Sequence, residues 1–272
     1  MTASTMTDGT MPQEAGQLGR FEVLDVGITA TDMPGAVRAI RGWVAARERV
    51  YVAVTGVHGV MTAQADPAFL TVLEQAVMVT ADGMPLVYLG RLRGHPVRRV
   101  YGPDLMLAVL AASTDGSLRH YLYGGGPGVG ALLEARLSAR FPGAVFVGRH
   151  TPPFQPLTPE EEDAVVEMIN AARPDVVWVG LSTPRQEVWM ARLRSRLTAP
   201  VLIGVGAAFD FHAGLKPQAP RLMQAMALEW VFRLCTEPRR LWRRYLYNNP
   251  RFLYLLALEA LHRCRDPRQR PH

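Results

Sequence analysis

Short apolar runs alternate with helical patterns from Phe21 to Val205, and no strand pattern follows. Val50–Thr55 (VYVAVT), Ala76–Thr80, Arg119–Tyr123, Ala144–Gly148, Val176–Gly180 and Pro200–Val205 read as strands of four to six residues. Phe21–Ile28 reads as a first strand. Between them lie helical patterns at Val57–Ala65, Phe69–Gln75, Leu105–Ala112, Val129–Phe141, Pro159–Ala171 and Arg185–Leu193. Asp32 or Thr31 is placed to cap a helix carrying Val37, Ile40 and Val44, and Thr158 to cap the glutamate-led helix at Pro159. Continuous apolar strands separated by helices predict an α/β fold: a Rossmann-like three-layer sandwich around a largely parallel sheet.

The end of the chain differs. Residues 216–272 hold twelve of the thirty Lys and Arg residues and four of the twenty-four acidic ones, a net +8 in a chain of net +6. The expected organisation is a disordered lead at 1–20, an α/β body at 21–215 and a basic helical appendage at 216–272. Within the appendage, Leu222–Leu234, Arg239–Tyr247 and Phe252–His262 read as three helices, with breaks at Glu237–Pro238 and Asn248–Asn249–Pro250. No apolar run reaches the eighteen residues a spanning helix needs. The polar N-terminus does not read as a signal peptide. Cys235 and Cys264 have no metal-ligand spacing, which fits a reducing compartment.

Ligands of such sheets bind at the carboxyl ends of the strands. Five loops fall there: Thr55–His58, Asp82–Pro85, Gly124–Pro127, Gly180–Glu187 and Gly204–Asp210. Asp82 follows an apolar strand; it is either a base with a raised pKa or a turn aspartate bonded to nearby backbone. Gly124–Gly125–Gly126–Pro127 ahead of a helix is a phosphate cradle or a plain tight turn. Gln186 follows Pro184 at a helix start and could bond a base, ribose or sugar. Asp210 and His212 could share a polar cluster. His58, His95, His150 and His212 show no ligand spacing, and no nucleotide-binding or serine-hydrolase fingerprint occurs. Neither a metal nor a cofactor is expected.

The tail arginines divide by helical spacing. If the helices run on across Pro238, Arg233, Arg240 and Arg243 share one face and could grip a diphosphate. Arg239, Arg244 and Arg251, with Trp242, Tyr245, Leu246, Phe252 and Leu253, suit an anionic membrane surface. A solvated basic face and a single-strand nucleic-acid tail are the competing readings; no nucleic-acid module motif accompanies the second.

The loops in their order are carried by VTGVHGVM (54–61), ADGMPLVYLGRLRG (81–94), RRVYGPDLM (98–106), YLYGGGPGV (121–129) and PDVVWVGLSTPRQEVWM (174–190). IGVGAAFDFHAG (203–214), QAP (218–220) and LEWVFRLCTEPRRLWRRYL (228–246) complete them. Together they resemble the WecG/TagA/CpsF family of bacterial glycosyltransferases, from about Leu24 to Phe252. The resemblance implies an inverting, metal-independent transferase that moves a sugar from a UDP-sugar to a polyprenyl-diphosphate-linked saccharide in exopolysaccharide or other cell-surface polymer synthesis.

On that resemblance Asp82 is the base and Thr55 an active-site threonine. Gln186 and Glu187 fall in the donor motif, Gly124, Gly125, Gly180 and Asp210 in the site loops, and Arg99 (or the adjacent Arg98) faces the substrate. Arg233, Arg240 and Arg243 are carried over the pocket by the appendage. It further implies that the appendage contacts the membrane; with no spanning run or signal peptide, the protein is expected in the cytoplasm on the inner face of the plasma membrane, with self-association left open and nucleic acid not an expected partner. Where better-known members carry Thr-x-Asn this chain has Val57, and their PKQE lysine is Arg185. Val57 with PPF (152–154) resembles the exopolysaccharide branch, where glucose or glucuronic acid replaces N-acetylmannosamine. The competing functions are a nucleotide-sugar epimerase and a non-catalytic membrane scaffold.

Overall fold

The computed structural model describes residues 18–265, with side chains to His262. Most of the expected lead at 1–20, the last seven residues of the appendage and the Cys264 side chain lie outside the described residues.

The first strand of the sequence reading is two. β1 (Arg20–Val23) and β2 (Val26–Thr29) form an antiparallel hairpin in which Val23 pairs with Val26. Leu24 and Asp25 make the turn with φ of 48° and 64°. Positive φ at both central residues matches the right-handed twist of a hairpin. Leu24 is buried in the same core as Val23, Val26 and Phe21. α1 (Met33–Ala45) follows, capped by Asp32, whose Oδ1 accepts from Gly35 N at 2.8 Å.

β3 (Val50–Thr55) leads to α2 (Val57–Ala63) and α3 (Pro67–Glu74), and β4 (Met78–Ala81) to α4 (Met84–Leu92) and α5 (Gly102–Ala111). No helical pattern in the sequence marks α4. Pro85 and Gly90 obscure its pattern, yet Pro85 sits in the first turn, where no N–H is needed. Gly90 lets α4 approach Phe21 and Val97; a Cβ there would lie 2.6 Å from both side chains.

β5 (Arg119–Gly124), α6 (Val129–Arg140), β6 (Val145–His150), α7 (Pro159–Ala172), β7 (Val176–Gly180), α8 (Arg185–Leu193), β8 (Val201–Gly204) and the short α9 (Ala208–His212) complete the body. Thr158 and Glu161 close a reciprocal capping box on α7, a motif whose cap is worth about 1 kcal/mol.

The six strands β4-β3-β8-β7-β5-β6 pair in that order, all parallel. Alternate side chains feed two cores. Tyr51, Ala53, Tyr121, Tyr123, Val177, Val179 and Leu202 join the helices α2, α3, α4, α7 and α8. Val52, Val54, Leu122, Val176, Trp178, Val201 and Ile203 join α1, α5, α6 and α9. Both faces are covered, so the strands read as unbroken apolar runs. The expected three-layer α/β architecture is what the chain adopts.

The helical appendage departs from expectation at two points. The first helix divides into α10 (Arg221–Ala225) and α11 (Glu229–Thr236), separated at Ala227, whose φ is +60°. The last two are one helix, α12 (Pro238–Arg265), with Pro250 inside it. Proline costs one hydrogen bond and crowds the carbonyl four residues back. Here Leu241 and Phe252, both buried, flank the proline and hold the two halves of the helix against neighbouring structure.

Candidate active site

The carboxyl ends of four adjacent strands, β4, β3, β8 and β7, open into one crevice of about 380 Å³, and α10, α11 and α12 close over it. Gly56, Asp82, Ser182, Thr183 and Gly206 come from the strand ends; Gln224, Glu229, Arg233, Arg240, Arg244 and Asn248 come from the helices.

Asp82 is half-buried on the crevice wall. Its backbone N donates to Thr55 O at 2.9 Å, and its Oδ1 accepts from Gly102 N at 3.1 Å. Burial pushes its pKa above the ordinary carboxylate range; the Arg99 charge opposes this and the Glu229 charge adds to it. A carboxylate with a neighbouring backbone donor and a raised pKa suits proton abstraction at neutral pH. Of the two sequence readings, turn aspartate and base, the geometry accommodates both: the turn bond engages one oxygen, and the other oxygen faces Gly56 at the crevice.

Arg99, not Arg98, lines the crevice. Its Nε donates to the Asp82 carbonyl, one terminal nitrogen to Gln224 Oε1 at 3.0 Å, and the other pairs with the Glu229 carboxylate. Its guanidinium also lies 4.0 Å over the Tyr101 ring. The fork of Arg99 is thus engaged by protein, and it ties the Asp82 loop to α10 and α11.

Gln186 is buried and lines the crevice; its Nε2 donates to Glu187 Oε1 at 3.0 Å while its own Oε1 has no partner. Gly204 makes room for it, since a Cβ there would lie 2.9 Å from Gln186 Nε2. Glu187 is fully buried behind Gln186, also accepts from Thr183 Oγ1 at 2.9 Å, and has its pKa raised by burial. It holds Gln186 and the Thr183 loop in place and does not itself line the crevice.

Several expected residues lie elsewhere. Thr55 is buried against Gly59 of α2, between the lining residues Val54 and Gly56. Gly124, Gly125 and Gly180 form a tight junction of β5 and β7 outside the crevice lining. A Cβ on Gly124, whose φ is +121°, would lie 2.6 Å from Gly180 O, and Gly125 N donates to that same oxygen at 3.1 Å. Gly124 and Gly125 pack tightly at this junction, on a strand one beyond the four that shape the crevice. Asp210 does not pair with His212. It binds Lys216 at 2.7 Å, Lys216 reaches Glu237 at 3.3 Å, and Glu237 holds Arg240 at 2.7 Å. His212 meets Pro103 O at 2.9 Å.

The arginine assignment changes most. Arg233, Arg240 and Arg244 line the crevice, whereas Arg243 lies outside it, 5.2 Å over the Trp242 ring. A shared face for Arg233, Arg240 and Arg243 requires one helix across Pro238. The chain instead leaves helical geometry at Glu237, with φ −133° and ψ 56°, and α12 begins with a new angular phase. Arg244 then sits on the inner face with Leu241 and Asn248, three and four residues away. The Nε atoms of Arg233 and Arg244 are buried without a hydrogen-bond partner. Burial brings Arg244 down to about 10, with the nearby Arg233 and Arg240 charges adding to that effect. Both remain cationic at neutral pH, and clustered cations of this kind seek an anion.

Gln224, Glu229, Arg244 and Asn248 line the crevice without having been expected there, whereas His58 belongs to the expected Thr55–His58 loop. Glu229 stood inside a quoted motif, but nothing in the sequence paired it with Arg99. No group of three or more His, Cys, Asp or Glu side chains among the described residues is arranged to hold a metal ion.

A parallel sheet with a charged crevice at its carboxyl edge, closed by basic helices, is the arrangement in which α/β proteins bind their ligands. The chain belongs to the Glycosyl transferase WecG/TagA/CpsF family, whose model matches residues 21–266, and it is a glycosyltransferase. A relative from Staphylococcus aureus is 26% identical over 248 residues, 90% of this chain and 95% of its own. Another, from Bacillus spizizenii, is 31% identical over 185 residues, 68% of this chain and 70% of its own. Both are named N-acetylglucosaminyldiphosphoundecaprenol N-acetyl-beta-D-mannosaminyltransferase.

Proposed function

We propose that this glycosyltransferase moves a sugar from a UDP-sugar onto a saccharide carried on polyprenyl diphosphate, with inversion and without a metal ion. The names of its relatives support the lipid-linked acceptor. The observation that carries the reading is the pairing, in one crevice, of a carboxylate of raised pKa with three cationic side chains from the C-terminal helices. Asp82 takes the proton of the acceptor hydroxyl. The resulting oxygen attacks the anomeric carbon from the face opposite the leaving nucleoside diphosphate. Arg233, Arg240 and Arg244 meet the charge that grows on the diphosphate, the role a metal ion would otherwise fill. Gln186, with its free Oε1, accepts a hydroxyl or N–H of the donor.

The acceptor is membrane-bound, so the enzyme works at a membrane surface. Among the described residues no helix is long and apolar enough to cross one. The outer face of α12 exposes Trp242, Leu246, Tyr247 and Tyr254 beside Arg243 and Arg251, a composition suited to the headgroup layer of the inner leaflet. Val57 at the crevice in place of a polar residue favours a donor other than UDP-N-acetylmannosamine, glucose or glucuronic acid among them, in exopolysaccharide synthesis.

The test offers a panel of UDP-sugars with polyprenyl-diphosphate-linked mono- to trisaccharides, with and without chelator. It follows UDP release and determines the anomeric configuration of the product. Chelator-resistant, acceptor-dependent transfer with inversion is expected. Release of an altered free nucleotide sugar without acceptor would identify an epimerase, and no UDP release under any condition a scaffold.

A further inference from the structure

His58 and Asn248 meet across the mouth of the crevice, with 3.1 Å between Nδ1 of the ring and Nδ2 of the amide. His58 lies in the first turn of α2, directly after β3, whereas Asn248 lies 190 residues further on, in the middle of α12. Both line the crevice. An amide nitrogen is a donor only, so the ring accepts at Nδ1 and carries its proton on Nε2. The backbone of Thr183, in the β7–α8 loop, is the ring's other hydrogen-bonding neighbour. One imidazole therefore links three elements: α2, which carries it, the loop just ahead of Gln186, and the basic helix.

The need for such a contact follows from the anchoring of α12. Leu241 and Phe252 are its buried apolar side chains. They are eleven residues apart, roughly 16 Å of helix. Between them Trp242, Arg243, Leu246 and Tyr247 are exposed, and Pro250 removes a hydrogen bond from the helix itself. Asn248 stands one turn after Arg244 on the same face. Whatever fixes Asn248 fixes the angle at which Arg244 enters the crevice. The Arg93–Glu259 pair at 3.1 Å restrains the helix further on, beyond Phe252, and within the stretch Tyr245 meets the Trp230 ring of α11 at 5.9 Å while the histidine holds Asn248.

We propose that His58 is a positioning residue for the transfer: through Asn248 and the Thr183 loop it pins α12 to the crevice mouth and thereby sets Arg244 on the donor's diphosphate. Its role in transfer rests on the reaction proposed above; the pin itself does not. A neutral ring serves here, because a protonated Nδ1 would face the amide N–H and the nearby Arg244 and Arg233 charges.

The full-length protein is compared with His58→Phe, His58→Gln, Asn248→Ala and the His58→Phe/Asn248→Ala double variant, by hydrogen exchange across residues 238–252 and by steady-state kinetics. Phe keeps the ring volume without an acceptor; Gln keeps an acceptor and a donor. Exchange in that segment should rise at least tenfold in His58→Phe and Asn248→Ala and stay within about twofold of the parent in His58→Gln. The donor KM should rise five- to twentyfold with kcat within about threefold, and the double variant should be no worse than the singles. Unchanged exchange in both single variants, additive losses, or a kcat loss at constant KM would overturn the proposal. If the parent itself transfers no sugar, the reading of the reaction fails while the exchange data still decide the pin. Asn248→Ala, on a half-buried helix face, gives that decision if His58→Phe folds poorly.

Discussion

Arg99 of the α/β body is ion-paired with Glu229 of the C-terminal helices, and the same guanidinium bonds the backbone carbonyl of Asp82. The proposed base is therefore held by a residue whose other end is held by the appendage. Both side chains are largely buried, so neither charge is well solvated without the other.

Arg99→Ala should destabilise the fold by about 3 kcal/mol, the usual cost of stranding one partner of a buried pair. It should also raise the apparent pKa of Asp82, because the Arg99 charge now opposes the effect of burial. Chemical denaturation and the pH profile of kcat/KM measure the two effects. The Arg99→Ala/Glu229→Ala pair should lose less stability than the two single changes added together; strict additivity would refute the coupling.

Asp82→Asn should lower kcat by about two to four orders of magnitude, the range of general-base removal, and leave UDP binding near the parent value. Its thermal midpoint should stay level or rise. A group whose pKa is raised on folding is harder to ionise in the native state, so its neutral isostere relieves a cost at pH 7. Turnover near that of the parent would remove Asp82 from the chemistry.

In the pH–rate profile the base must be ionised, so activity should fall on the acid side through a pKa above the ordinary carboxylate value. Stability follows a separate pattern. Burial lowers the pKa of His58 and of His120 to about 4 from 6.5, and His120 is fully enclosed, with Ser113 Oγ at 2.9 Å and Trp178 Nε1 at 3.3 Å. The unfolded chain then binds more protons between pH 6.5 and 4, and stability should drop as pH falls through that window. The loss from His120 is on the order of 3 kcal/mol. His120→Phe should flatten part of the dependence in denaturant titrations at fixed pH.

Arg244→Ala and Arg243→Ala should part company although the residues are adjacent. Arg244→Ala should raise the donor KM about tenfold or more, through loss of a charge-assisted contact. Arg243→Ala should leave the donor KM within about twofold and weaken binding to anionic vesicles by about 1 kcal/mol. The reverse pattern would restore the assignment made from spacing alone.

Much of the body was legible in the sequence because its signals are local. Val50–Thr55, Val176–Gly180 and Arg185–Leu193 announced β3, β7 and α8 with their observed bounds, and Thr158 announced the start of α7. The hairpin turn at Leu24–Asp25 carried no glycine or asparagine to mark it, and α4 was hidden by residues that a first turn and a close contact tolerate. Asp82, Arg99 and Gln186 were reached through the quoted motifs, and all three line the crevice.

The amino-acid order by itself determined the parallel three-layer body, the strand-end loops that carry the chemistry and the basic character of the tail. Those follow from periodicity, turn chemistry and charge, which act over a few residues. Only the tertiary structure decided which arginines of the tail line the crevice, which glycines pack tightly, and that Arg99, Glu229, His58 and Asn248 tie tail to body. The irregular backbone at Glu237 resets the phase of α12, so spacing counted across it no longer measures direction. Contacts such as Arg99 to Glu229 join residues 130 positions apart, and sequence proximity says nothing of them.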